Sequence, residues 1–205
     1  MKTACLKSIL RHVPMALVGL RFAFAFLILA AAYFMKANAA LLCAVLMGLG
    51  LFSDIIDGII ARRLGVATPL LRRLDSQCDL VFWLSCLGSA HLMYPLLLTQ
   101  TWPAIVLLLA LELIIYVFSL LKFKREACTH AYSAKLYGLG LGIGVGEIML
   151  YGNVGIAWHL MAIFGVIACM DVLLILIILP SWAHDIHSFW HALRKRYAMV
   201  SHHIT

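Results

Sequence analysis

Long apolar runs dominate the chain and recur at a spacing that suits a lipid bilayer. A helix of about 20 apolar residues crosses a hydrocarbon core about 30 Å thick. Six runs of roughly this length are predicted to be transmembrane helices, at residues 14–34, 39–60, 80–98, 103–121, 136–150 and 156–179. The pattern therefore predicts an all-α integral membrane protein with six transmembrane helices.

Both ends of the chain have an amphipathic pattern. Before Pro14, apolar residues recur at i, i+3, i+4 and i+7, with Lys7 and Arg11 elsewhere on the helix surface. The segment after Ser181 alternates aromatic and aliphatic residues with histidines and basic residues. Such helices lie in the membrane interface. The expected organisation is an interfacial helix at 1–13, a six-helix domain at 14–180, and a basic, His-rich cytoplasmic tail at 181–205.

Composition and charge strengthen the membrane interpretation. Hydrophobic residues make up 64% and charged residues 12% of the chain, against about 45–50% and about 25% in soluble domains. The net charge is +7, yet the basic residues stand between apolar runs, which does not favour nucleic-acid binding. All 16 Lys and Arg residues except Lys36 fall on one side of the predicted topology. The positive-inside rule then places both termini in the cytoplasm.

Two alternatives for parts of the chain are weaker. Ala37-Asn38-Ala39 resembles a signal-peptidase site, but the preceding apolar run is longer than the usual 7–15 residues or so of a signal peptide. The six cysteines are scattered without a CxxC pair, so we expect neither a disulfide framework nor a zinc site.

Glycines at four-residue spacing, Gly138, Gly142 and Gly146, favour close helix packing in lipid.

Candidate chemistry is concentrated where the second and third predicted helices meet the cytoplasm. Asp54 and Asp57 are three residues apart, and Asp75 and Asp79 are four apart. Each pair therefore shares one helix face, and the two faces can meet. Four carboxylates near a membrane are costly unless cations neutralise them. Oxygen ligands without His or Cys suit Mg²⁺, Mn²⁺ or Ca²⁺, and two divalent ions would balance four carboxylates.

Salt bridges are the alternative explanation for these acids. Four arginines lie nearby in the sequence: Arg62, Arg63, Arg72 and Arg73. Buried ion pairs often fail to offset the desolvation of their charges, so pairing alone explains the cluster poorly.

The segment Asp54-x-x-Asp57-Gly58-x-x-Ala61-Arg62, followed by Asp75-x-x-x-Asp79, resembles the signature of the CDP-alcohol phosphatidyltransferase family. One departure is Leu71, which stands where the family usually has a second glycine. Weaker matches extend over most of the chain: Pro14, Arg21, Thr68, Ser133 and Lys135.

The resemblance implies roles for the matching residues. Asp79 would complete the metal site and act as the general base on the acceptor hydroxyl. The metal ligands would be Asp54, Asp57, Asp75 and Asp79. The CDP part of the donor would contact Asp54, Asp57, Gly58, Ala61, Arg62 and Thr68. Weaker candidates for binding the acceptor or a phosphate are Lys135, Arg21, Arg72 and Arg73.

The implied reaction is transfer of a phosphatidyl group from CDP-diacylglycerol to a small alcohol, with release of CMP and two Mg²⁺ or Mn²⁺ ions as cofactors. The resemblance also implies a homodimer. The resemblance does not identify the acceptor alcohol. Leu80 stands where the family often has a basic residue after the last Asp. Serine and glycerol 3-phosphate are slightly favoured as acceptors. Two other functions remain: a divalent cation transporter, and a non-catalytic CDP-lipid-binding membrane protein.

Overall fold

The computed structural model describes residues 2–64, 68–125, 132–182, 186 and 188–201, and this part of the chain is helical without a strand. Two short 3₁₀ helices, Lys36–Ala39 and Pro95–Leu97, each connect two consecutive α-helices. The α-helices are α1 (Lys2–Met35), α2 (Ala40–Leu64), α3 (Pro69–Met93), α4 (Leu98–Phe123), α5 (Tyr132–Tyr151), α6 (Ile156–Ile178) and α7 (Phe189–Ser201).

Three stretches of the described chain are long and apolar enough to cross a membrane. They are Val13–Ile60 with 48 residues, Pro95–Phe123 with 29 and Ile156–Ile178 with 23. The first contains most of α1 and α2, and the apolar part of α5, Leu136–Tyr151, is shorter. The all-α membrane class is therefore confirmed, while the count of six crossings stays a prediction.

The six predicted runs lie largely on helices, but the boundary between the third and fourth was wrong. The third run was expected to continue to residue 98, whereas α3 ends at Met93. Tyr94 leaves the helical region at φ −133° and ψ 71°, because a residue before proline is disfavoured in the α conformation. The residues expected to form the loop, 99–102, instead begin α4.

The two predicted amphipathic segments differ in the structure: the N-terminal one is part of a longer helix, and the C-terminal one contains a separate helix. Residues 2–13 of the predicted interfacial segment and the first predicted span belong to one continuous helix, α1, which runs through Pro14. The tail contains a helix of its own, α7. The domain boundaries themselves stay predictions.

The first of two compact units contains Met1–Leu98 together with Val145–Asn153. Here α1 packs along both α2 and α3. Gly50 of α2 lies so close to the Phe82 ring of α3 that a Cβ at this position would overlap the ring. These contacts bring the C-terminal end of α2 and the N-terminal end of α3 beside α1.

The second unit contains Thr99–Gly144 and Val154–Thr205. The carboxylate of Asp171 on α6 accepts hydrogen bonds from Ser133 Oγ at 2.7 Å and from the Phe189 backbone N–H at 3.2 Å. Lys122 Nζ donates to the Leu176 carbonyl at 2.7 Å, at the end of α6. These bonds hold α7 and the end of α4 against α6.

Glycine contacts of α5 differ in part from the expected face. Gly146 approaches Met47, but a Cβ on Gly138 would meet nothing within 4 Å among the described residues. The close backbone approach is made by Gly144, where a Cβ would lie 3.2 Å from the Trp158 Cα of α6.

Candidate active site

Four aspartates converge at one end of α2 and α3. Asp54, Asp57 and Asp75 each offer a carboxylate oxygen, and these three oxygens lie within 4.8 Å of one another. The Asp57 side chain is 5% exposed, whereas Asp54, Asp75 and Asp79 are 34–38% exposed. The cluster thus has one buried carboxylate and three that are open enough to meet a ligand.

Arg21 of α1 lies in the centre of this cluster. Its side chain is 1% exposed, and its Nη1 lies 3.1 Å from both Asp54 Oδ1 and Asp75 Oδ1. The same Nη1 contacts Asp79, and Nη2 contacts Asp57. The planar guanidinium presents several donors in a fixed fork, so one side chain can reach four carboxylates.

This position of Arg21 was not predicted. The resemblance implies only a weak acceptor-binding role for Arg21, and the sequence offers arginines of α2 and α3 as salt-bridge partners. Within the described part of the structure, Arg21 of α1 reaches all four carboxylates. The sequence does contain an indication of its importance: Arg21 is a charged residue inside an apolar run, and such residues are candidates for function by default.

The donor set fits a divalent metal. Counting only these five described side chains, four ionised carboxylates and one guanidinium leave three negative charges, because 4 − 1 = 3. Carboxylate oxygens are the ligands that Mg²⁺ and Mn²⁺ prefer. Both the remaining charge and the chemistry of the side chains therefore favour binding of hard divalent cations.

Thr68 and Leu71 define how α3 begins. The Thr68 hydroxyl oxygen accepts a hydrogen bond from the Leu71 N–H at 3.2 Å, and Pro69 occupies the first helical turn. This N-cap fixes the start of the helix that carries Asp75 and Asp79. Its expected contact with the CDP group stays a prediction.

Leu71, the departure from the family signature, is buried and packs with Val18 of α1 and Cys78 of α3. A side chain thus fills the position where the family usually has a glycine. The contact contributes to the packing of α1 against α3, the two helices that supply Arg21, Asp75 and Asp79.

The other predicted site residues are placed only in part. Gly58 is half-buried on α2, and Arg73 is exposed on α3. Four side chains lie outside the described part of the structure, although their backbones belong to α2, α3 and α5: Ala61, Arg62, Arg72 and Lys135. Their roles stay predictions.

Comparison with known protein families gives a match over most of the chain. The model of the family described as CDP-alcohol phosphatidyltransferase matches residues 11–178, which include the whole acid cluster. Neither the curated proteins nor the solved structures contain a match. The family match covers most of the 205 residues, from within α1 to the end of α6. The chain belongs to the CDP-alcohol phosphatidyltransferase family.

Proposed function

We propose that this membrane enzyme transfers a phosphatidyl group from CDP-diacylglycerol to the hydroxyl of a small alcohol and releases CMP. Membership of the family supports head-group transfer from a CDP-alcohol in phospholipid synthesis. The observation that carries the proposal is the convergence of four carboxylates from α2 and α3 at one site. Serine and glycerol 3-phosphate are the acceptors we favour.

Asp54, Asp57, Asp75 and Asp79 would hold two divalent ions, Mg²⁺ or Mn²⁺. Bound there, such ions would stabilise the negative charge that develops on the pyrophosphate as its bond to the lipid phosphate breaks. The carboxylates would in turn be relieved of their mutual repulsion. Such pairing would account for the presence of four acids near the ends of apolar helices.

Asp79 is proposed as the general base. An alcohol is a poor nucleophile until its proton is removed, so a positioned carboxylate accelerates attack. The acceptor hydroxyl would give its proton to Asp79 while its oxygen bonds to the lipid phosphorus. The bond from that phosphorus to the CMP oxygen breaks at the same time, and CMP leaves with the electron pair. This single displacement needs no covalent enzyme intermediate.

Donor and acceptor contacts are proposed from the positions that match the family signature. Gly58 and Ala61 would keep the surface of α2 low enough for the CDP group to approach. Arg62 would pair with its phosphates through a planar fork, and Thr68 would contact the same group. For an acceptor that bears a phosphate, the candidate partners are Lys135, Arg21, Arg72 and Arg73.

The proposed arrangement in the membrane follows from the distribution of basic residues. Both termini would lie in the cytoplasm with the site facing the same compartment, since Arg and Lys gather on that side. The enzyme would act as a homodimer, as the family resemblance implies.

A product screen tests the proposal. Purified enzyme with Mg²⁺ or Mn²⁺ would receive labelled CDP-diacylglycerol and, separately, serine, glycerol 3-phosphate, inositol, inositol phosphate or choline. We expect one acceptor to give a new phospholipid, identified by mass, together with an equal amount of CMP. Absence of CMP release with every acceptor, from protein shown to be folded, would contradict the proposed reaction.

The alternative of a cation transporter is disfavoured by Arg21. A buried guanidinium in contact with all four carboxylates competes with divalent ions for these oxygens, which is unsuited to a pathway that must pass such ions rapidly. Uptake of Mn²⁺ into proteoliposomes without nucleotide would support the transporter instead.

A further inference from the structure

We propose that Arg21 and the divalent ions are alternative partners for the same carboxylates, so that Arg21 holds the acid cluster together before metal binds and gives up these contacts as metal enters. This inference rests on the metal site of the proposed function. Arg21 would be a positioning residue for the empty site, in addition to any contact that it makes with substrate.

The contacts of Arg21 are the first observation that supports competition with metal. The two terminal nitrogens of Arg21 contact one oxygen of each aspartate, and three of those aspartates also form the group able to hold an ion. A metal ion within that group would compete with the guanidinium for carboxylate oxygens. A divalent ion and a guanidinium so close together also repel each other.

The burial of Arg21 is the second supporting observation. Arg21 is 1% exposed, and its Nε has no hydrogen-bond partner among the described residues. The carboxylates therefore provide the polar contacts described for this buried cation. Without metal, a variant that lacks the cation would leave four acids facing one another with less compensation, and one of them, Asp57, is buried.

The charge balance carries the third step. Counting only Arg21 and the four aspartates, all ionised, the cluster carries a charge of −3, because 1 − 4 = −3. Two divalent ions alone would bring it to zero, whereas two ions and Arg21 would leave one positive charge. Full loading with metal is thus favoured by withdrawal of the guanidinium.

Direct metal binding tests the proposal. Mn²⁺ binding to the purified full-length protein would be measured by calorimetry and by electron paramagnetic resonance, for wild type and for Arg21→Met. We expect Arg21→Met to bind Mn²⁺ at least about tenfold more tightly, because a competing positive charge is gone. Arg63→Met is the matched control, since Arg63 is an exposed cation on α2. It should bind Mn²⁺ as wild type does.

Thermal unfolding gives a second readout. Without metal, Arg21→Met should unfold roughly 5–15 °C below wild type, because one partner of a buried charge cluster has been removed. Saturating Mn²⁺ should remove most of that difference. If Arg21→Met does not fold, Arg21→Lys serves instead. A single ammonium cannot match the guanidinium fork, so we expect Mn²⁺ affinity above that of wild type.

The outcomes separate this inference from the proposed function. Equal or weaker Mn²⁺ binding by the Arg21 variant, with normal binding by wild type, would overturn the competition and leave the metal-dependent reaction standing. No binding of Mn²⁺ to either protein would overturn both the competition and the proposed metal site.

Discussion

At the scale of single residues, the site combines four acids with a buried guanidinium that partly balances their charge. Asp57 is buried, and its described ionic partner, Arg21, is buried as well. Spacing in the sequence was enough to predict that Asp54 and Asp57 share a face, because helix periodicity is local. It was not enough to place Arg21, because the contact joins α1 to residues 33 to 58 positions away.

Asp79→Asn tests the assignment of the base. Asparagine keeps the size of the side chain but does not accept the proton of the acceptor hydroxyl. We expect turnover to fall by roughly 10²- to 10⁴-fold, measured as CMP release, while helicity is unchanged. Gln77→Ala is the matched control, since Gln77 is exposed on the same helix between the acids. Full activity of Asp79→Asn would show that another group is the base.

At the scale of helices, apolar runs determined the elements and local backbone chemistry determined their ends. The runs predicted that helices exist because about 20 apolar residues cannot be accommodated otherwise in a membrane. Pro95 shifted the end of α3 away from the expected position. Thr68 extended α3 towards its N-terminus by capping a first turn that starts well before the apolar run. Hydropathy alone detects neither effect.

Gly144→Leu tests the close packing of α5 against α6. A Cβ at Gly144 would lie 3.2 Å from the Trp158 Cα and 3.4 Å from the Ala157 carbonyl oxygen, so a larger side chain must push backbone atoms apart. We expect the free energy of unfolding to fall by about 1–3 kcal/mol. Thermal or denaturant unfolding in detergent micelles would measure this change.

Gly138→Leu is the matched control on the same helix, because a Cβ there would meet nothing within 4 Å in the described structure. Its stability should stay close to that of wild type. Equal destabilisation by both substitutions would mean that loss of glycine itself, rather than helix contact, is the cause.

At the scale of the whole molecule, sequence patterning predicted the class of protein and left the topology to be tested. Three long apolar stretches and the family match agree on an integral membrane transferase. The number of crossings depends on α3 and α5. Charges in the first turns of α3 and the shorter apolar length of α5 weaken a purely compositional count.

Epitope tags at the two termini test the predicted topology. In sealed vesicles with the cytoplasmic face inside, both tags should resist added protease, because six crossings and the positive-inside rule place both termini on the cytoplasmic side. Detergent should expose both. Digestion of only one tag in sealed vesicles would indicate an odd number of crossings.

Dependence on divalent metal tests the central claim most directly. CMP release from CDP-diacylglycerol would be measured with the identified acceptor, after exhaustive chelation and then after addition of Mg²⁺ or Mn²⁺. The account predicts that chelation reduces the rate to background and that either ion restores it in wild type but not in Asp57→Asn. Undiminished CMP release from thoroughly chelated enzyme would contradict the proposal that the four aspartates act through bound metal.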